Sequence, residues 1–347
     1  MGGVRMGVKD TITKDYMEDP YIFADVFNYW IYAGQEVIKP EKLHSLDPTE
    51  IAIPYGSKWA GTPVQKYRDK LKYWSAMTDY SAVYLLLGLE IQSEIQYAMP
   101  IKSMVYDALQ YASQVDEIAK EHKKERKTQK NVQEDSKDMP HIINSGEYLS
   151  GFYKEDKLIP VITLVLYFGA GRWDGPLHLH EMMAVQDEQI LRWIPDYRIN
   201  LISPEELEKE DFDQFHTSLR EVLLFIKYSK DKDKLYELIS HDFRFSSIEQ
   251  KAGRVINAIT GAGIKMDESE EIIDMCKAIQ DLQEEAMQTG IQTGIQTGIQ
   301  TGRQEREDEI IVHIYENGAF TVEEIADMVN VSAERVRSLV KNSPGKM

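Results

Sequence analysis

A carboxylate and an amide end the most apolar segment in the first third of the chain. In "VYLLLGLEIQ", residues 83–92, seven apolar or small residues precede Glu90 and Gln92. Residues two apart on a strand project to the same face, so these polar groups point one way and Ile91 points the other. A polar tip on a buried strand is typical of α/β proteins that place a site at a sheet edge.

The chemistry that suits this tip is metal-dependent cleavage of a phosphodiester. Such a site needs at least two convergent carboxylates on Mg²⁺, which polarises the phosphate and lowers the pKa of the attacking water. Glu90 supplies one carboxylate. The second is expected upstream, from Asp69 in "QKYRDKLKYW" or Asp79 in "MTDYSAV". Asp79 lies in a turn-like "TDYS", whereas Asp69 opens a stretch able to pair as a hairpin, so geometry favours Asp69.

Helices and further strands must position this tip. Apolar residues at helical spacing within 19–38 predict a helix that carries Asp25 and ends near Gly34, and "AMPIKSMVYDALQYASQVDEIAKEH" predicts a second helix after the strand. Segments 158–170 and 193–203 read as two more strands, and the pattern is mainly helical from there to about residue 265. This order predicts an α/β or α+β domain with a buried mixed sheet flanked by helices.

A repeat-bearing arm follows. Residues 266–286 read as a charged helix, and "QTGIQTGIQTGIQTG", residues 288–302, repeats every four residues. On an α-helix a four-residue step drifts by only about 40°, so the isoleucines form a stripe beside a stripe of glycines, a surface on which two helices could pair. Because each glycine costs a helix roughly 1 kcal/mol relative to alanine, helix and flexible tether remain open alternatives.

The last segment, residues 307–347, resembles a helix-turn-helix. "TVEE" is a capping box that opens one helix, and Ser332 caps the next, "AERVRSLVK". Three basic residues on that second helix are candidates for DNA contact: Arg335, Arg337 and Lys341. A plain three-helix oligomerisation unit is the alternative reading.

Composition bounds these interpretations. The 347 residues carry a net charge of −18, which argues against a broadly basic nucleic-acid binder but leaves room for a local basic groove. The basic run between Lys120 and Lys130 is either solvated or a seat for a DNA backbone. The single cysteine and the lack of a secretory or membrane-spanning apolar segment predict a cytoplasmic protein without membrane contact.

Several stretches together resemble a known family. They are "FADVFN" (23–28), "RDKLKYW" (68–74), "LLGLEIQSEIQYAMPIKSMVYDALQY" (86–111), "LSGFYKEDKLIPVITLVLYFGAGRWDGPLHLHEM" (149–182) and "PDYRINLI" (195–202). With the tetrapeptide repeat, they resemble the Rpn family of recombination-promoting nucleases, also described as YhgA-like transposases, within the PD-(D/E)xK nuclease superfamily.

The resemblance implies a bacterial, cytoplasmic, Mg²⁺- or Mn²⁺-dependent DNA endonuclease linked to recombination or mobile elements. It implies that Asp69 and Glu90 ligate the metal and that Asp25 is the acid of the first helix. Gln92 stands where the superfamily has a lysine that orients water and stabilises charge, and Lys102 on the following helix is the candidate to supply that charge.

The sequence thus predicts four segments: a tail (1–14), a nuclease-like domain (15–265), a helical arm (266–306) and a small three-helix unit (307–347). The preferred function is hydrolysis of DNA phosphodiester bonds. The alternative is an inactive nuclease fold that acts as a DNA-binding module or as an oligomeric module paired through the repeat. The missing lysine, the acidic balance and the helix-turn-helix-like tail support that alternative.

Overall fold

The computed structural model describes residues 7–45, 49–52, 64–67, 70–78, 81–132, 144–267 and 269–341. The chain divides into two compact units, residues 1–276 and residues 277–347. The strands within the described residues are β1 (Leu43–Ser45), β2 (Thr49–Ala52), β3 (Val64–Tyr67), β4 (Lys70–Thr78), β5 (Ser81–Gln92), β6 (Val161–Tyr167), β7 (Asn200–Ile202), β8 (Ile248–Glu249) and β9 (Ile272–Ile273).

Helices precede, separate and follow these strands along the described part of the chain. They are α1 (Val8–Tyr16), α2 (Pro20–Tyr32), α3 (Met99–Val132), α4 (Ser145–Ser150), α5 (Glu188–Leu191), α6 (Lys209–Phe212), α7 (Leu219–Tyr228), α8 (Lys232–His241), α9 (Gln250–Thr260), α10 (Met275–Glu316), α11 (Val322–Val329) and α12 (Ala333–Val340).

A mixed five-stranded sheet in the order β1-β4-β5-β6-β7 is the framework of the first unit. β4 pairs antiparallel with both β1 and β5, whereas β5, β6 and β7 run parallel to one another. The crossover from β5 to β6 contains α3, as a parallel pair requires. The predicted α/β class with a mixed sheet is therefore confirmed, and the nuclease-like form of that sheet stays a prediction.

The central strands are buried because they are apolar on both faces. Leu87, Leu89, Leu164, Val165 and Leu166 have no exposed surface, as is usual for parallel strands covered on both sides. The strand expected within 83–92 is confirmed as β5, and the one expected within 158–170 is confirmed as β6.

The helix expected within 19–38 is α2, and its ends follow from local chemistry. Asp19 caps it by accepting a hydrogen bond from the Tyr21 amide, and Pro20 occupies its first turn. Ala33 (φ 49°) and Gly34 (φ 82°) take left-handed conformations that end it. A Cβ at Gly34 would lie 2.8 Å from Gln214, so this position needs glycine for space as well as for backbone angle.

Two predicted elements are wrong in extent. The strand expected over 193–203 is only three residues long, because a turn and irregular backbone occupy most of residues 193–199. The charged helix expected over 266–286 begins only at Met275, since Ile272 and Ile273 instead pair with Ile248 and Glu249 as a two-stranded ladder.

In the second unit, the repeat is helical. α10 runs through all of residues 288–302, so the helix is the alternative that the structure adopts. The capping box of Thr321 and Glu324 opens α11, Asn330 ends it at φ 57°, and Ser332 caps α12, as the sequence predicts. α10, α11 and α12 share a core around Ile311, Ile325 and Val336.

None of the helices among the described residues is long and apolar enough to cross a lipid bilayer.

Candidate active site at the end of β5

Glu90 lies at the carboxyl end of β5, inside the sheet. It pairs in register with Val165 of β6, and its side chain has no exposed surface. Gln92, two residues further, is partly exposed and pairs with Tyr167. The predicted polar tip is thus buried at its acid and open to solvent at its amide. A carboxylate in such a place needs compensating charge, because an isolated buried charge is costly.

Lys102 provides that charge. Its Nζ lies 2.7 Å from Glu90 Oε2, and its side chain remains 31% exposed. It stands in the first turn of α3, and the ammonium also lies 5.8 Å from the centre of the Tyr106 ring, within range of a cation–π contact. Lys102 of α3 therefore reaches the end of β5, the position at which the sequence analysis expects it.

Hydrogen bonds to the neighbouring strand hold α3 in this position. Asp107 accepts hydrogen bonds from the hydroxyls of Thr163 on β6 and Tyr197, the latter at 2.6 Å. One turn further, the Tyr111 hydroxyl accepts from the Val161 amide. The pairing of Lys102 with Glu90 thus rests on a helix whose register against β6 is fixed.

The N-terminal helix brings a second acid close to the same strand end. Ser93, next to Gln92, donates a hydrogen bond of 3.3 Å from its Oγ to Oδ1 of Asp10 on α1. Asp10 was missed by sequence reasoning because "VKDTITKDY" has a weak apolar period. The signal available was its place as an acid in the first turn of a short helix.

Negative charge also gathers around the end of β6. Burial raises the pKa of Tyr167, and the carboxylates of Glu94 and Asp174 raise it further. Tyr97 donates a hydrogen bond of 2.9 Å to Asp174. These acids act on the Tyr167 hydroxyl at the end of β6.

Asp25 has a different environment. It lies on α2, which is the second helix because α1 precedes it, and its side chain is buried. Its carboxylate accepts hydrogen bonds from the amides of His216 and Thr217 at 2.9–3.0 Å and from the Thr217 hydroxyl at 2.6 Å. These contacts tie the segment before α7 to α2. A role for Asp25 at the metal site stays a prediction.

Asp69, the predicted second ligand, and Asp79, its rival, lie outside the described residues. Among the residues that are described, no group of three or more His, Cys, Asp or Glu side chains is placed to hold a metal ion. The described part of the candidate site therefore consists of the buried carboxylate of Glu90, the ammonium of Lys102, the amide of Gln92 and the nearby carboxylate of Asp10.

The three basic residues predicted for DNA contact lie on α12 or at its end. Arg335 Nη2 lies 2.9 Å from Asp308 Oδ1, and Arg337 pairs with Glu323. Lys341 is the exposed residue that ends the helix. Both arginines are thus engaged by carboxylates of the same unit.

Comparisons with known protein families match two segments of the chain. Residues 304–346 match the family model described as "Sigma-70, region 4". No curated protein and no solved structure matches the chain significantly.

The other family match falls in the first unit. Residues 145–252, which include β6 and β7, match the model described as "Putative transposase, YhgA-like". Over these residues the chain is similar to that family, in agreement with the resemblance that its motifs indicate.

Proposed function

We propose that the protein is a metal-dependent DNA endonuclease whose active site is the end of β5. The observation that carries this proposal is the 2.7 Å contact between Lys102 Nζ and the wholly buried Glu90. It places a cation beside an acid on a strand whose next outward residue, Gln92, stands where a lysine is expected. The family match to a transposase model supports DNA as the substrate class and mobile elements as the context.

Mg²⁺ fits the chemistry of the proposed ligands, which are hard carboxylate oxygens. Glu90 and Asp69 are the proposed ligands. Asp69 directly precedes Lys70 in the sequence, and Lys70 pairs with Leu89, the residue before Glu90. When bound, the ion would lower the pKa of a water and neutralise charge on the phosphate.

The residues of the chain itself then divide the remaining work. The Gln92 amide orients the attacking water, whose oxygen bonds to phosphorus while a phosphorus–oxygen bond to the sugar breaks and the leaving oxygen takes a proton. Lys102 supplies the positive charge that Gln92 lacks and stabilises the negative charge that grows on the phosphate. Asp10 takes the place of the first-helix acid, since it is the helical carboxylate found next to Ser93.

Plasmid cleavage tests this proposal. The full chain is incubated with supercoiled plasmid and Mg²⁺, alongside Glu90→Ala and Glu94→Ala, the second being an exposed acid four residues away. The proposal predicts nicking by the wild type and by Glu94→Ala but not by Glu90→Ala. Equal nicking by all three, or none by the wild type, would refute it.

A non-catalytic DNA-binding protein is the second candidate. The match of residues 304–346 to sigma-70 region 4 and the capped helices α11 and α12 favour it. In that case wild type and Glu90→Ala retard DNA equally without cutting it, and deletion of residues 307–347 abolishes the retardation.

A further inference from the structure

The second unit contains a cleft between the end of the repeat and α12. Its volume is about 530 Å³, and its wall is polar and mixed in charge: Gln296, Ile299, Gln300, Arg303, Gln304, Glu307 and Arg335. The glutamines stand four residues apart on α10, so their amides line one side of the cleft. The two guanidinium groups and the amide donors suit a phosphate oxygen, and Glu307 is the one acid among these lining residues.

One of these arginines already has an anionic partner. Arg335 is held at 2.9 Å by Asp308, and each side chain of the pair is 32% exposed. Arg303, in contrast, is exposed and one helical turn beyond the last isoleucine of the repeat. Carboxylate and phosphate oxygens bind the same planar set of N–H donors on a guanidinium group. Asp308 therefore occupies donors of Arg335 that a phosphate could otherwise bind.

The charge of the whole unit makes this local competition important. Over residues 277–347, aspartates and glutamates outnumber lysines and arginines. Long-range attraction therefore does not bring DNA to this unit, since non-specific affinity comes from clustered positive charge. Binding must depend on the few arginines that can be offered to a phosphate.

We propose that this cleft seats a backbone phosphate of DNA between Arg303 and Arg335, and that Asp308 competes with that phosphate for Arg335. The inference rests on the DNA contact in the proposed function but not on cleavage. It adds Arg303, at the end of the repeat, to the contacts predicted on α12, and it gives the pair of Arg335 and Asp308 a restraining role.

Binding of the full chain to a fluorescently labelled DNA duplex, in EDTA and at several salt concentrations, tests this assignment. Asp308→Asn and Asp308→Ala should each bind about fivefold more tightly than the wild type, which is the effect of one partly exposed ion pair. Glu305→Gln is the control, because it removes the same charge from an exposed position of α10 without releasing Arg335.

The arginines provide the opposite test. Arg303→Gln and Arg335→Gln should weaken binding and each reduce the slope of log K against log salt by about 0.9, the value for one lost phosphate contact. Arg306→Gln, on the same helix but outside the cleft, should change the slope less.

Equal gains from Asp308→Asn and Glu305→Gln would overturn the inference, because net charge alone would then explain them. Absence of DNA binding in every variant, with plasmid nicking intact, would also overturn it while the nuclease proposal stands. Loss of nicking in Glu90→Ala with all the predicted changes in duplex binding would support both.

Discussion

Lys102 Nζ and Glu90 Oε2 lie 2.7 Å apart, although the two residues belong to different elements and only the lysine reaches solvent. A buried carboxylate with a partly exposed cation is either a structural ion pair or part of a site, and the two roles have different consequences. If the pair only stabilised the fold, replacing both partners together would restore what each single change removes. A catalytic role leaves the double variant stable but inactive.

Lys102→Met should lower the free energy of unfolding by about 2 kcal/mol, less than for a wholly buried pair because the lysine is partly exposed. It leaves the Glu90 carboxylate without this cation. Adding Glu90→Gln should recover most of that stability, because no buried charge remains. Thermal unfolding of the two single variants and the double variant measures this. A double variant as unstable as the sum of the singles would contradict the coupling.

Asp25→Ala should lower the free energy of unfolding by about 2 kcal/mol, because it leaves the amide donors of His216 and Thr217, which are only partly buried, without their acceptor. Urea unfolding, with the exposed Asp15→Ala as the control, measures the loss. Nicking by the folded Asp25→Ala protein should persist well below its melting temperature. If cleavage disappeared while the protein stayed folded, Asp25 would belong to the site as the sequence predicts.

The first unit should become less stable as the pH rises from the ordinary pKa of Glu221 to the raised pKa of this residue in the folded protein. Burial raises the pKa of Glu221 above its ordinary 4.5, and Arg244 and Arg220 only partly offset this. Between the two pKa values the unfolded chain holds fewer protons than the folded one, so stability falls as pH increases through that window. The pH dependence of the melting temperature in Glu221→Gln should lack this fall; an unchanged profile would contradict it.

The glycines of the repeat and a glycine of α9 should respond oppositely to alanine. A Cβ at Gly294 meets nothing within 4 Å, so Gly294→Ala should stabilise α10 by about 1 kcal/mol. A Cβ at Gly253 would lie 2.6 Å from Ile273 Cδ1 and 3.0 Å from Met266 Sδ, so Gly253→Ala should be destabilising. Circular dichroism melts of the two variants measure both. Destabilisation by Gly294→Ala would contradict the first expectation, because position 294 would then have to lack a side chain.

The sequence predicts those parts of the fold that depend on local pattern. The buried strand that carries Glu90, the capping box at Thr321 and the cap at Ser332 follow from periodicity and side-chain chemistry, and the structure confirms them. Residues 193–199 were predicted as strand, but they are mostly irregular, and Asp196 among them accepts a hydrogen bond from the His180 amide. The short pair of Ile248 and Ile273 depends on a contact between distant residues, which periodicity does not reveal.

The candidate site was also predictable only where it depends on local sequence pattern. Glu90 follows from its strand, and Lys102 from a helix that must return along the sheet. Asp10 requires knowledge of where α1 packs, and Asp308 beside Arg335 requires knowledge of how three helices fold together. Such pairings join residues far apart in the chain, so their chemistry appears only once the elements are assembled.

Manganese binding tests the central claim most directly. Mn²⁺ titration of the full chain, followed by electron paramagnetic resonance, should show a site in the wild type and in Glu94→Gln that is lost in Glu90→Gln and in Asp69→Asn. Unchanged Mn²⁺ binding in folded Glu90→Gln protein would contradict the account, since the end of β5 would then hold no metal.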